Sequence, residues 1–136
     1  MARKAINPGA MYDSVQYGFS HAVESTGDRL LHLSGQVAWD EDGKLIGDGD
    51  LAAQCAQVFR NLKKVLAECG LGPQNVVRLR TYVVDYSADK LAIIGPAIGD
   101  FYGDVIPAAN TLLGVQSLAM PGFLIEVEAT AVAEGR

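Results

Sequence analysis

Two glutamates, Glu126 and Glu128, stand one residue apart in a segment whose other side chains are almost all apolar. From Phe123 to Ala133 β-branched residues recur, and the pattern predicts a strand covered on both faces. Alternate residues of a strand share a face, so Leu124, Glu126 and Glu128 point one way. Phe123, Ile125, Val127 and Ala129 point the other. A carboxylate on a covered face is costly unless something pairs with it or uses it. Glu126 is therefore the first candidate for acid–base chemistry, with Glu128 behind it. The competing reading is a strand end that opens to solvent.

Other chemistries lack their residues. Asp40-Glu-Asp-Gly-Lys-Leu-Ile-Gly-Asp-Gly-Asp50 is rich in oxygen ligands. Its first glycine comes too early for a calcium loop, and the closing glutamate is missing, so it reads as a solvated acidic turn. No Gly-x-Ser-x-Gly elbow, phosphate-cradling glycine loop or His-x-x-x-His pair occurs, and nothing calls for a metal or a redox cofactor. His21 and His32 both fall on predicted strands, where a surface or hydrogen-bonded structural role is expected. Cys55 and Cys69 fall on the stripe of one predicted helix, roughly 21 Å apart, too far for a disulfide. Both read as small core residues.

The elements that must position Glu126 follow from periodicity. Val15–Val23 and Arg29–Gln36 are predicted strands joined by the turn Glu24–Asp28. Asp40–Gly43 is a hairpin tip beside Trp39. Leu51, Cys55, Val58, Phe59, Leu62, Val65, Leu66 and Cys69 form one helical stripe, capped by Asp48 or Asp50 and closed by Gly70. Asn75–Asp85 is a strand with Val77, Leu79, Thr81 and Val83 on one face and Arg78, Arg80, Tyr82 and Val84 on the other. Ala88–Tyr102 is a second helix that Pro96 should kink or divide. Asn110–Leu118 and Phe123–Ala133 are the last strands. The 136 residues read as one α+β domain, 1–136, with two helices packed on one face of a mixed sheet. The half-polar opposite face invites a second subunit.

Composition narrows the partners. Hydrophobic residues make up 49% and charged residues 20%, ordinary for a soluble globular chain. A net charge of −5 argues against nucleic acid and against an acidic membrane surface. The first residues carry no apolar run suited to a signal peptide or a membrane span, so a cytoplasmic protein is expected.

Together, Ser34-Gly35-Gln36, the helix carrying Gln54 and Asn61 ahead of Leu66 and Gly70, Val76-Val77-Arg78, Tyr82-Val83-Val84-Asp85, Pro107-Ala108, Leu118, Pro121 and Ile125-Glu126-Val127-Glu128 resemble the RidA/YjgF family of reactive-intermediate enamine/imine deaminases. The resemblance runs from about Ser14 to Ala133, and its order and spacing are specific even though each piece is weak. It implies a chorismate-mutase-like α+β fold, a homotrimer, and small-molecule clefts between neighbouring subunits. It also implies that Glu126 positions the attacking water and that Ser34 and Gly35 line the cleft. The family arginine that grips a substrate carboxylate is absent: Asn110 takes its place, followed by Thr111. An expected aromatic is displaced, with Ser14 in its place and Tyr17 three residues on. Arg80 is the candidate substitute cation.

The resulting expectation is an imine or enamine hydrolase whose substrate differs from 2-iminopropanoate. Catalysis would rest on Glu126, and binding on Ser34, Gly35, Asn110, Thr111, Tyr17 and Arg80. A non-catalytic trimeric binding or stress-related protein is the alternative. The ribonuclease label sometimes attached to the family suits an acidic chain poorly.

Overall fold

The computed structural model describes residues 3–134. Its main sheet has four strands in the order β3-β6-β4-β5: β3 (Arg29–Gln36), β6 (Ile125–Ala133), β4 (Val76–Val84) and β5 (Ala109–Val115). β4 and β5 run parallel, and the other pairs are antiparallel, so the sheet is mixed as expected. The parallel pair needs a crossover, which α2 (Leu91–Tyr102) supplies. Together with α1 (Leu51–Glu68) it covers one face of the sheet.

The α1 stripe forms for the reason its spacing predicts. Cys55, Val58, Leu62 and Leu66 are fully buried, and Phe59 packs its ring 5.1 Å from that of Phe101 on α2. Asp50 caps the helix by accepting the Ala53 amide at 3.1 Å. Gly70 takes a left-handed φ of +74° at the other end, letting Leu71 N–H donate back to the Leu66 carbonyl. Cys69 is exposed, not buried: it is the C-cap, just past the last helical residue, Glu68. α2 continues through Pro96 without being divided.

Three further expectations change. Val15–Val23 is not a strand. Val15–Tyr17 is a single 3-10 turn ended by Gly18 at a φ of +87°, and only Ala22–Ser25 (β2) is extended. β2 pairs not with β3 but with β1 (Arg3–Ile6), in a separate two-stranded sheet. Second, an irregularity between Val76 and Arg78 slips the β4 register by one. Val76 rather than Val77 therefore enters the core, and Val77 turns to the open face. Third, β6 is covered by helices on one face alone. Ile125, Val127, Ala129 and Ala131 are buried, and Glu126, Glu128 and Thr130 are half-buried on the other face.

Two polar residues of the α1 stripe hold the loops that lead to this sheet. Gln54 is fully buried. Its Nε2 donates to the carbonyls of Gly47 (3.0 Å) and Gly122 (2.8 Å), and its Oε1 accepts the Leu124 amide at 2.9 Å. Asn61 Nδ2 donates to the carbonyls of Val37 and Trp39, both at 2.9 Å. A buried amide that satisfies three backbone groups is a structural clamp.

Candidate functional site

The two glutamates of β6 share the open face, yet their surroundings differ. Glu128 lies across from Arg80, with Oε1 4.0 Å from Nη1, and accepts a short hydrogen bond from the Tyr82 hydroxyl. That bond, more than any other cause, pushes the Tyr82 phenol above its ordinary pKa. Glu126 has no ion pair or hydrogen bond among the described residues. Burial first, and the charge of Glu128 second, raise its carboxyl above the usual range. Of the pair, Glu126 is thus the carboxylate free to take and return a proton.

The backbone of β3 brings Gly35 to it. Pairing with β6 is regular from Arg29 to Leu33 and resumes at Gln36 opposite Val127, so Ser34 and Gly35 form a bulge. A β-carbon on Gly35 would fall 2.0 Å from Glu126 Oε2. Glycine is needed here for close approach rather than for an unusual φ. Ser34 is exposed beside it. Gly35 and Glu126 are thus in close approach, with Ser34 the preceding residue of the bulge.

Arg80 and Thr111 share the open face but are engaged elsewhere. Arg80 neighbours Glu128, and Thr111 Oγ1 accepts from Arg78 Nη2 at 3.2 Å. Arg78 Nε is buried with no hydrogen-bond partner among the described residues.

Asn110 and Tyr17 form a second group on the opposite side. Asn110 pairs with Leu79, a core residue, and its Oδ1 accepts from the buried Thr81 hydroxyl at 3.1 Å. It therefore lies on the helix-covered face, at the sheet edge. There a cavity of about 380 Å³ is lined by Tyr12, Tyr17, Phe19, Ile94, Asn110 and Leu112, among others. Tyr12, Phe19 and Leu112 were not anticipated. Leu112 could have been found from strand alternation with Asn110, whereas Tyr12 and Phe19 reach the cavity through loop backbone that has no periodicity to read.

The predicted site residues thus divide between the two faces of one sheet. Within a single chain Glu126 and Asn110 cannot touch the same small molecule. Among the described residues no three of His, Cys, Asp and Glu converge as metal ligands, and no helix is long and apolar enough to cross a membrane.

Comparison with known proteins places this arrangement. The family model described as endoribonuclease L-PSP matches residues 12–133. A solved Yersinia pestis structure described as YyfB, a protein of unknown function of the conserved Rid protein family, is 56% identical. It superposes with a TM-score of 0.95 over 98% of this chain and 100% of that one. Protein DfrA of Myxococcus xanthus is 34% identical over 133 residues, 97% of each chain. The mouse 2-iminobutanoate/2-iminopropanoate deaminase is 27% identical over 115 residues, covering 84% of this chain and 80% of that protein. With its mixed sheet, its two covering helices and a family match across nearly its whole length, the chain belongs to the Rid/YjgF (endoribonuclease L-PSP) family.

Proposed function

We propose that this protein is an imine or enamine deaminase-like hydrolase that acts on a small reactive nitrogen compound other than 2-iminopropanoate. The observation that carries the reading is the unpaired, partly desolvated Glu126 carboxylate against the Gly35 bulge, next to a Glu128 already held by Tyr82 and Arg80. The chemistry needs one such group. Glu126 takes a proton from water as the water oxygen bonds to the imine carbon, and the C=N electron pair moves to nitrogen. The same carboxyl returns the proton to the amine. Glu126 next takes the hydroxyl proton of the carbinolamine and passes it to the amine nitrogen, and the C–N bond breaks as C=O forms, releasing ammonia and a carbonyl product. The resemblance to a deaminase of this substrate class supports the reaction type.

The reading includes a homotrimer. Glu126 and Asn110 lie on opposite faces of one sheet, so a cleft using both must draw them from neighbouring chains. Exposed Tyr12, Tyr17, Leu30 and Leu113 supply apolar surface for such contacts. Two free thiols, Cys55 and Cys69, suit a cytoplasmic setting. Light scattering at micromolar concentration is expected to give a trimer, and a stable monomer would remove the shared cleft. The direct test is ammonia release from freshly generated imines by the wild type and by Glu126→Gln. A substrate turned over equally by both would sink the mechanism.

The second reading is a trimeric small-molecule-binding protein without catalysis. Asn110 favours it, because an amide lacks the charged two-point grip of a guanidinium. Binding without ammonia release across the imine panel would select it.

A further inference from the structure

We infer that the cavity holding Asn110 selects an uncharged, ring-bearing or branched apolar ligand, gripped through a neutral hydrogen-bond acceptor, and rejects carboxylates; its turnover arm rests on the hydrolase reading above. Of the nine residues lining the cavity none carries a charge, and Asn110 is the one amide. The remaining walls are aromatic and aliphatic. Tyr12 is central to the aromatic side, with ring centroids 6.5 Å from Tyr17 and 6.4 Å from Phe19. α2 contributes Ile94 and Ile98, both buried.

Thr81 sets the direction of the amide. Its hydroxyl is fully buried and must donate, and Asn110 Oδ1 is the acceptor it meets. The bond turns the amide oxygen toward Thr81 and leaves Nδ2 as the donor for a ligand. One neutral N–H₂ can satisfy a carbonyl, an amide or an imine nitrogen. A carboxylate brought here would lose its hydration and gain no cation, and it would face ring surfaces whose quadrupole repels negative charge. The same surfaces favour apolar rings and a protonated imine. A volume of about 380 Å³ lies near the small end of ordinary ligand pockets, enough for one ring and a short polar tail.

Phenylacetamide and phenylacetate are matched probes that differ in charge at one terminus. Titration calorimetry on the intact oligomer is expected to show the amide binding at least about tenfold tighter than the acid. Asn110→Asp keeps an acceptor for Thr81 but removes the donor, and Asn110→Leu removes the donor without adding charge, though it also takes away the Thr81 acceptor. Both should erase the preference for the amide, with melting temperature and oligomeric state confirming that each variant is folded. Equal or tighter binding of phenylacetate, failure of the amide to bind at millimolar concentration, or a preference untouched in both variants would overturn the inference. Turnover separates it from the reaction itself. The imines 2-phenylethanimine and 2-imino-3-phenylpropanoate differ only by the carboxylate, and the first should release ammonia faster. If the amide binds selectively and neither imine is hydrolysed, the ligand class stands and the hydrolase reading falls. If the carboxylated imine is the better substrate, the hydrolase reading stands and the ligand class falls.

Discussion

Gly35 and Glu126 approach so closely that a β-carbon on the glycine would lie 2.0 Å from the carboxylate oxygen and 2.8 Å from Cγ. The bulge at Ser34–Gly35 thus serves as a floor on which the candidate acid–base group rests. Gly35 does not need a left-handed backbone, so alanine strains nothing except the glutamate side chain. Gly35→Ala should lower stability by about 1–3 kcal/mol, because Cγ and Cδ of the half-buried Glu126 as well as its oxygen must move to make room. Ammonia release should fall by about a hundredfold, the cost of misplacing a reacting group by an ångström or so. Unfolding curves together with initial rates check both halves.

Glu126→Gln and Glu128→Gln should separate function from stability. Glu126→Gln is expected to lower turnover by roughly two to four decades. The carboxyl of Glu126 is raised in the folded state by burial first and by Glu128 second, so the folded protein holds that proton more firmly than the unfolded chain. The stability this gives is fully present below the unfolded carboxylate value, about 4.3, and is lost as pH rises through the higher folded value. At neutral pH the glutamine variant should therefore melt no lower than wild type, and the difference should close on acidification. Glu128→Gln should do the reverse, lowering the melting point while sparing much of the rate, since it weakens contacts to Tyr82 and Arg80. The wild-type rate should rise from the acid side with a midpoint above the ordinary carboxylate range.

Asn110→Arg should improve turnover of 2-iminopropanoate by about one to two decades, the worth of a charged hydrogen bond of roughly 1.5–3 kcal/mol. It should also lower stability, because the buried Thr81 hydroxyl loses its acceptor. That loss is about 1–3 kcal/mol. Adding Thr81→Val removes the orphaned hydroxyl, so the double variant should recover much of the melting temperature and keep the new rate. Kinetics and melting on the two variants decide it, and an unchanged rate would mean that position 110 does not meet the substrate.

Gln54→Leu tests whether the buried amide acts as a clamp. The substitution leaves the Gly47 and Gly122 carbonyls and the Leu124 amide without their partner. Melting temperature should drop on the order of 10 °C. Hydrogen exchange should quicken at Leu124, just ahead of the strand that carries Glu126.

The sequence by itself determined the two helices, the four strands of the main sheet and the alternation that sets Glu126 and Glu128 apart from Ile125 and Val127. Those features repeat every two or every 3.6 residues, and burial against a neighbouring layer demands that repeat. It also carried the order of short motifs by which the family is legible. Tertiary structure decided which glutamate is free, since Tyr82 and Arg80 reach Glu128 only through the register of β4 on β6. It decided that Val76 and not Val77 is core, through a slip in the ladder that no local pattern marks. It brought Tyr12 and Phe19, from loop backbone, to the cavity of Asn110 and Tyr17. And it set Asn110 and Glu126 on opposite faces, because β5 pairs in parallel with β4 so that Asn110 meets Leu79. Register, bulges and loop paths depend on hydrogen bonds and packing between residues far apart in the chain, and a periodic pattern contains no term for them.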